Sequence, residues 1–178
     1  MAESVHSAQS IVSLLGAHPA TLLGLELDAD DDAVLGVWLV LSILLGGRTP
    51  EPVALDAWRR LASKGLSTPE AIVQAGPAAI EACLEEASLT KSEATTAVVM
   101  RVSRALGLRF GGSIDRLAAD SENLEDLAGR LAGLGTGFGR AAVFRFLTPL
   151  RDRWTTANDL PASPAVCGAA CCDAFEIS

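Results

Sequence analysis

Leu131-Ala132-Gly133-Leu134-Gly135-Thr136-Gly137-Phe138-Gly139-Arg140-Ala141-Ala142-Val143 is the stretch whose reading decides the fold. Before it, Leu124, Leu127, Ala128 and Leu131 recur at helical spacing; after it, Ala142, Val143, Phe146, Leu147 and Leu150 do the same. Two helices therefore flank a tight hairpin with glycine at 133, 135, 137 and 139. Glycine admits positive φ and lets a second backbone come close. The second helix starts right after the hairpin, so its first N–H groups have no carbonyl one turn back and point outward, a ready anion site. Arg140 stands in its first turn and Arg145 lies further along. Such a unit grips a nucleic-acid phosphate without reading sequence. Two other readings stand beside it. Alternating glycines also occur in dinucleotide loops, but those follow a strand inside a βαβ unit, and no strand pattern precedes this one. The stretch also reads as a plain connector between two packed helices.

Working outward, Gly137, Gly139 and Arg140, with Phe138 as the apolar residue between them, resemble the hairpin of the endonuclease III-like DNA glycosylases, the helix-hairpin-helix superfamily of base-excision repair. The typical family form is Leu-Pro-Gly-Val-Gly-Arg-Lys-Thr-Ala. Upstream, the run from Trp38 through Leu44, Leu45, Gly46, Gly47 and Arg48 to Thr49 resembles the family's early buried helix and the segment that ends it. Ser67-Thr68-Pro69-Glu70, the segment from Leu89 to Ala94, and Leu117-Ala118-Ala119-Asp120-Ser121 fall in the family's order. The resemblance spans roughly 8–160 as a pattern, and only the hairpin is specific to the family.

The resemblance implies an all-α, two-lobed fold of the helix-hairpin-helix DNA glycosylase type. Residues 32–130 would form one lobe, the two ends of the 8–160 domain the other, and 161–178 a C-terminal tail. A cleft between the lobes would receive a flipped base. Base excision needs a carboxylate that stabilises the developing sugar cation or activates a nucleophile. Bifunctional relatives add a lysine amine that forms a Schiff base. The position of that lysine is Ala141 here, so lysine chemistry at the hairpin is absent. Counting on from the hairpin places the family's aspartate at Asp159, whose alternative role is to cap a turn. Asp152, between Arg151 and Arg153, reads as an ion-pair residue instead. The histidine and arginine that follow the aspartate in relatives have no counterpart. The glutamine that fills the gap of a flipped base aligns with Gly47, leaving Arg48 to fill or grip, or to complement a helix C-terminus. Lys91 reads as a solvent-facing helical charge. The implied function is DNA binding with lysine-independent excision of a damaged or mismatched base. Asp159 is its catalytic residue, and Gly135, Gly137, Gly139, Arg140 and Arg48 contact double-stranded DNA. The alternative is a catalytically inactive member that binds DNA or protein, or a helical interaction protein that kept only the fold.

Composition bounds these readings. The chain has 178 residues, 49% hydrophobic and 20% charged, enough for one sizeable core or two small helical lobes. Abundant Ala and Leu with 4% aromatics favour helix over sheet. A net charge of −8 argues against a nucleic-acid partner on bulk electrostatics, although arginines crowd 101–116 and 140–153. The longest apolar stretch, over 33–45, is too short to span a bilayer, and no secretory pattern is visible, so a soluble cytoplasmic protein is expected. Cys83 reads as a buried small hydrophobe. Cys167, Cys171 and Cys172 lie near where relatives hold an iron–sulfur cluster, but in the wrong spacing and one ligand short. Neither metal nor cofactor is expected.

Along the rest of the chain, a short helix is expected over 10–15, with a break at His18-Pro19. The acids over 28–32 cap a central apolar helix over 32–45, which Gly46 and Gly47 end. Thr49, Thr68 and Thr90 open the next helices, the last a long one to about Leu108. Gly111 and Gly112 turn the chain, and Ser121 or Asn123 caps the helix entering the hairpin.

Overall fold

In a computed structural model, residues 19–27, 31–46 and 49–160 are described, and these contain nine α-helices and no strand. Gly47, Arg48, His18, the helix expected over 10–15, the acids at 28–30 and Cys167, Cys171 and Cys172 lie outside them. The helices are α1 Pro19–Leu22, α2 Asp32–Gly46, α3 Glu51–Ser63, α4 Pro69–Ala75, α5 Pro77–Glu86, α6 Ser92–Phe110, α7 Ile114–Ala119, α8 Leu124–Ala132 and α9 Arg140–Leu147. Single turns of 3-10 helix follow at Thr148–Leu150 and Thr155–Ala157.

The central helix is α2. It is apolar on nearly every side, as a helix surrounded by others must be. Leu35, Trp38, Leu39, Val40, Leu41 and Leu44 are all buried. It packs against α3, α6 and α9, so the hairpin's second helix rests on the middle of the protein. Two features make that contact close. Trp38 Nε1 donates to the Phe146 carbonyl at 2.9 Å, which satisfies a buried indole. At Gly46 an added Cβ would sit 2.3 Å from the Ala142 Cβ, so only glycine lets the two backbones approach this far. The buried side chains form one cluster running from Ala20 to Leu160, with Cys83 inside it as expected.

Helix starts follow the sequence signals in part. Thr68 caps α4 and accepts from the Ala71 N–H, and Asn123, rather than Ser121, caps α8 through the Asp126 N–H. Thr49 and Thr90 do not cap. The N-cap of α3 is Pro50, and α6 begins after Lys91, which takes left-handed angles of φ 64 and ψ 42. The aspartates divide their work. Asp31 Oδ1 accepts from the Ala33 N–H at the start of α2, whereas Asp32 Oδ1 accepts from the Ile114 and Asp115 N–H groups of α7, both at 2.9 Å.

Candidate nucleic-acid interface

The hairpin is built from inside outward. Leu134 and Phe138 are buried and anchor its two arms, and the Phe138 N–H donates to the Gly135 carbonyl at 3.0 Å, closing the turn. Gly137 carries φ +99 between them, where a side chain is strained, and a Cβ there would lie 2.4 Å from Val98 Cγ2 of α6. The turn is thus pressed against α6, and any residue but glycine would lift it off.

Arginines of α6 hold the carbonyl side. Arg101 Nη1 donates to the Thr136 carbonyl and to Thr136 Oγ1, and Arg109 Nη1 donates to the Gly133 carbonyl at 2.9 Å. The amide side is left open. Gly139 is the N-cap of α9 and offers no side-chain acceptor. Its carbonyl receives the Ala142 and Val143 N–H groups at 3.0 and 3.1 Å. The N–H groups of Gly139, Arg140 and Ala141 meet no acceptor among the described residues, and all three residues are exposed. Partial positive charge therefore gathers where the Arg140 guanidinium also stands. Arg145 is not part of this group: its Nη1 lies 3.9 Å from Glu51 Oε2 of α3.

Beside Gly137 lies a cavity of about 340 Å³, lined by Gly46 and Thr49 on one side and by Lys91, Ala94 and Val98 on the other. Lys91, read from the sequence as a distant helical charge, therefore shares a hollow with the hairpin. Arg101 and Arg109 were equally hidden in the sequence, where only a crowd of arginines over 101–116 signalled a basic face. Their partners lie 35 and 24 residues away, beyond any local pattern.

Asp159 is exposed, one residue before the buried Leu160 and just past a 3-10 turn that packs on α8. It makes no hydrogen bond or ion pair with a described residue, and it lines neither the hollow beside Gly137 nor those along α6 and at the start of α7. The segment leading to it is firmly held. Arg153 Nη2 and Trp154 Nε1 reach the Asp115 carboxylate at 2.7 and 3.0 Å, and Arg153 Nη1 also donates to the Leu27 carbonyl at 3.3 Å. Burial pushes the Asp115 carboxyl up, but the hydrogen bonds from Arg153 and Trp154 and the Arg153 charge outweigh it and hold the carboxyl below its ordinary value. Arg153 thus turns to Asp115, and Asp152 is exposed without an ion pair among the described residues.

Arg48 lies just past the described end of α2. No group of three or more His, Cys, Asp or Glu side chains among the described residues could hold a metal ion. No helix among them is long and apolar enough to cross a membrane. In comparisons with protein-family models, curated proteins and solved structures, none matches this chain.

Proposed function

We propose that the protein holds double-stranded DNA through its backbone and removes a damaged or mismatched base by a route that needs no lysine at the hairpin. The observation that carries this reading is the open start of α9, with three amides that meet no acceptor among the described residues beside Arg140, on a turn whose Gly133, Gly135 and Thr136 carbonyls are already occupied. A phosphate oxygen satisfies those donors and gains the helix dipole and a guanidinium at once. Gly139 keeps a side chain out of its way, Gly135 and Gly137 let the turn lie against α6, and Lys91 adds a cation in the hollow beside Gly137; Arg48 is assigned to the same DNA backbone. Asp159 is the carboxylate of the reaction. It stabilises the cation that develops at the sugar carbon as the glycosidic bond breaks, and water completes the exchange. The two-lobed glycosylase architecture and a flipped base between the lobes belong to this reading.

A second reading, a silent binder of DNA or protein, is favoured by two specific observations. The exposed Ala141 stands where relatives carry a reactive amine, and Asp159 lies exposed outside the described cavities. One experiment separates the two. Labelled duplexes carrying uracil, oxidised, alkylated or mismatched bases are incubated with the protein and with Asp159→Asn, then cleaved with or without hot alkali. Strand breaks that need alkali and vanish in the variant are expected. Intact strands with every duplex, from a protein that still binds them, leave the silent binder. In parallel, Arg140→Glu should weaken binding to all sequences alike by about tenfold, and binding should fall steeply with added salt. Unchanged affinity in that variant removes the hairpin from the interface.

A further inference from the structure

The hollow beside Gly137 has a chemistry of its own. One side is a single face of the start of α6, where Lys91, Ala94, Thr95 and Val98 follow one another at helical spacing. Ile43 and Gly46 of α2, with Thr49, form the other, and Gly137 brings the hairpin to its edge. At about 340 Å³ it falls within the range of small-molecule pockets, about 300–1,000 Å³. Its polar side chains are the Lys91 amine and the hydroxyls of Thr49, Thr90 and Thr95, and no acid or histidine among the described residues lines it. Glu93, two residues beyond Lys91, lines the hollow on the α5 side of α6 instead. The Lys91 side chain makes no hydrogen bond or ion pair with a described residue. Lys91 also holds φ 64, and among the described residues only Ser88 shares a positive φ without being glycine. A side chain at that angle carries a cost that glycine would relieve, so the backbone itself does not ask for lysine here.

Shape and charge together select the occupant. A phosphate would set its charge against Ile43 and Val98 and leave much of the volume empty. A nucleobase has apolar faces and a polar edge. Its faces can lie along Ile43 and Val98 while its edge meets Lys91 and the hydroxyls. The open amides of Gly139, Arg140 and Ala141 follow Gly137 directly and would hold the backbone next to such a base. Lysine only donates, whereas a threonine hydroxyl donates or accepts. An edge that offers Lys91 an oxygen is therefore accepted, and an edge that brings an amine there sets donor against donor. Uracil and hypoxanthine carry oxygen where cytosine and adenine carry the amine. As products of deamination they stand in mispairs, which evert at lower cost.

We propose that this hollow receives an everted base and selects, through Lys91, one that bears an oxygen in place of the exocyclic amine of cytosine or adenine. The proposal rests on the DNA reading and gives it a substrate class. It concerns binding, so it holds equally for an excising protein and for a silent DNA binder. Two labelled duplexes test it, one with uracil and one with cytosine opposite the same thymine, both on 2′-fluoro sugars that resist base release. Both bases are mispaired, so the edge is the contrast. In fluorescence anisotropy with the full chain, the uracil duplex should bind about tenfold more tightly. Lys91→Gly should bring the two affinities together, with a urea midpoint unchanged or raised because glycine suits the left-handed angle. Lys91→Glu should favour cytosine, whose amine a carboxylate accepts. Arg140→Glu should weaken both duplexes alike and keep their ratio. Equal affinity of the unaltered protein for the two duplexes, or a preference that survives Lys91→Gly, overturns the proposal. An equal loss on both duplexes in that variant overturns it too, makes Lys91 a phosphate contact and leaves the DNA reading standing. If neither duplex binds, the DNA reading ends, and deoxyuridine and deoxycytidine are titrated with the protein by saturation-transfer NMR. Binding of deoxyuridine alone that Lys91→Gly abolishes then keeps the hollow as a site for such bases. Binding of neither nucleoside, or of both alike, ends the proposal as well.

Discussion

Two short helices, α7 and α9, begin in opposite ways. At the start of α7 the Ile114 and Asp115 N–H groups are taken by the Asp32 carboxylate, and the Arg116 N–H by Ser113 Oγ at 3.0 Å. At the start of α9 the cap is glycine, no side chain accepts, and an arginine replaces the acid. Both ends carry the same dipole and the same orphan amides. One is neutralised by a residue of α2, 82 positions away, and serves to fasten helices together. The other has no side-chain acceptor among the described residues and is left to solvent at the surface. Under the proposed function, that open start is where a phosphate is received.

The largest effect expected from breaking this contrast is at α7. Asp32→Ala strands two part-buried amides and should cost about 2 kcal/mol in urea denaturation, with duplex binding unchanged. A loss below about 0.5 kcal/mol would mean that water replaces the carboxylate freely. The next effect comes from giving α9 the arrangement of α7. An added Cβ at Gly139 meets nothing within 4 Å, so Gly139→Asp fits without strain. Its carboxylate should cap the first turn and raise stability by about 0.5 kcal/mol, while duplex affinity falls because the amides are occupied and a like charge faces the phosphate. Gain in stability with undiminished DNA binding would sink the assignment of those amides to phosphate. The smallest effect is one of pH at the far side of α7. The folded Asp115 carboxyl lies below its unfolded value, so its contribution is complete above the unfolded pKa of about 4 and is lost as pH falls through the lower folded value. Asp115→Asn should therefore flatten the acid limb of the stability curve, seen as a smaller drop in urea midpoint between neutral and acid pH than in the unaltered protein.

The legibility of these features differs by their range along the chain. The helices on either side of Gly133–Gly139 could be read because apolar spacing and cap residues act within a few positions. The cap at Asn123 and the C-terminal glycine at Gly111, with φ +65, are local in the same sense. Thr90 failed as a cap because the chain turns left-handed at Lys91 and starts the helix one residue later. Asp32 was read as serving its own helix, since nothing nearby reveals that α7 lies within its reach. For Asp159 the sequence offered a count from the hairpin, and the fold sets it on an exposed turn without a partner among the described residues.

By itself the sequence determined an all-helical chain, a central helix too apolar to face water, and a glycine turn feeding a helix with arginine in its first turn. Those follow from periodicity, propensity and the φ freedom of glycine, all of which act locally. Only the tertiary structure decided which charges meet that turn. It brought Arg101, Arg109 and Lys91 to the hairpin, sent Arg145 to Glu51 and Arg153 to Asp115, and left Arg104 beside Leu108 at the surface. Long flexible cations choose among partners by packing distance, and packing distance exists only once the helices have closed on α2.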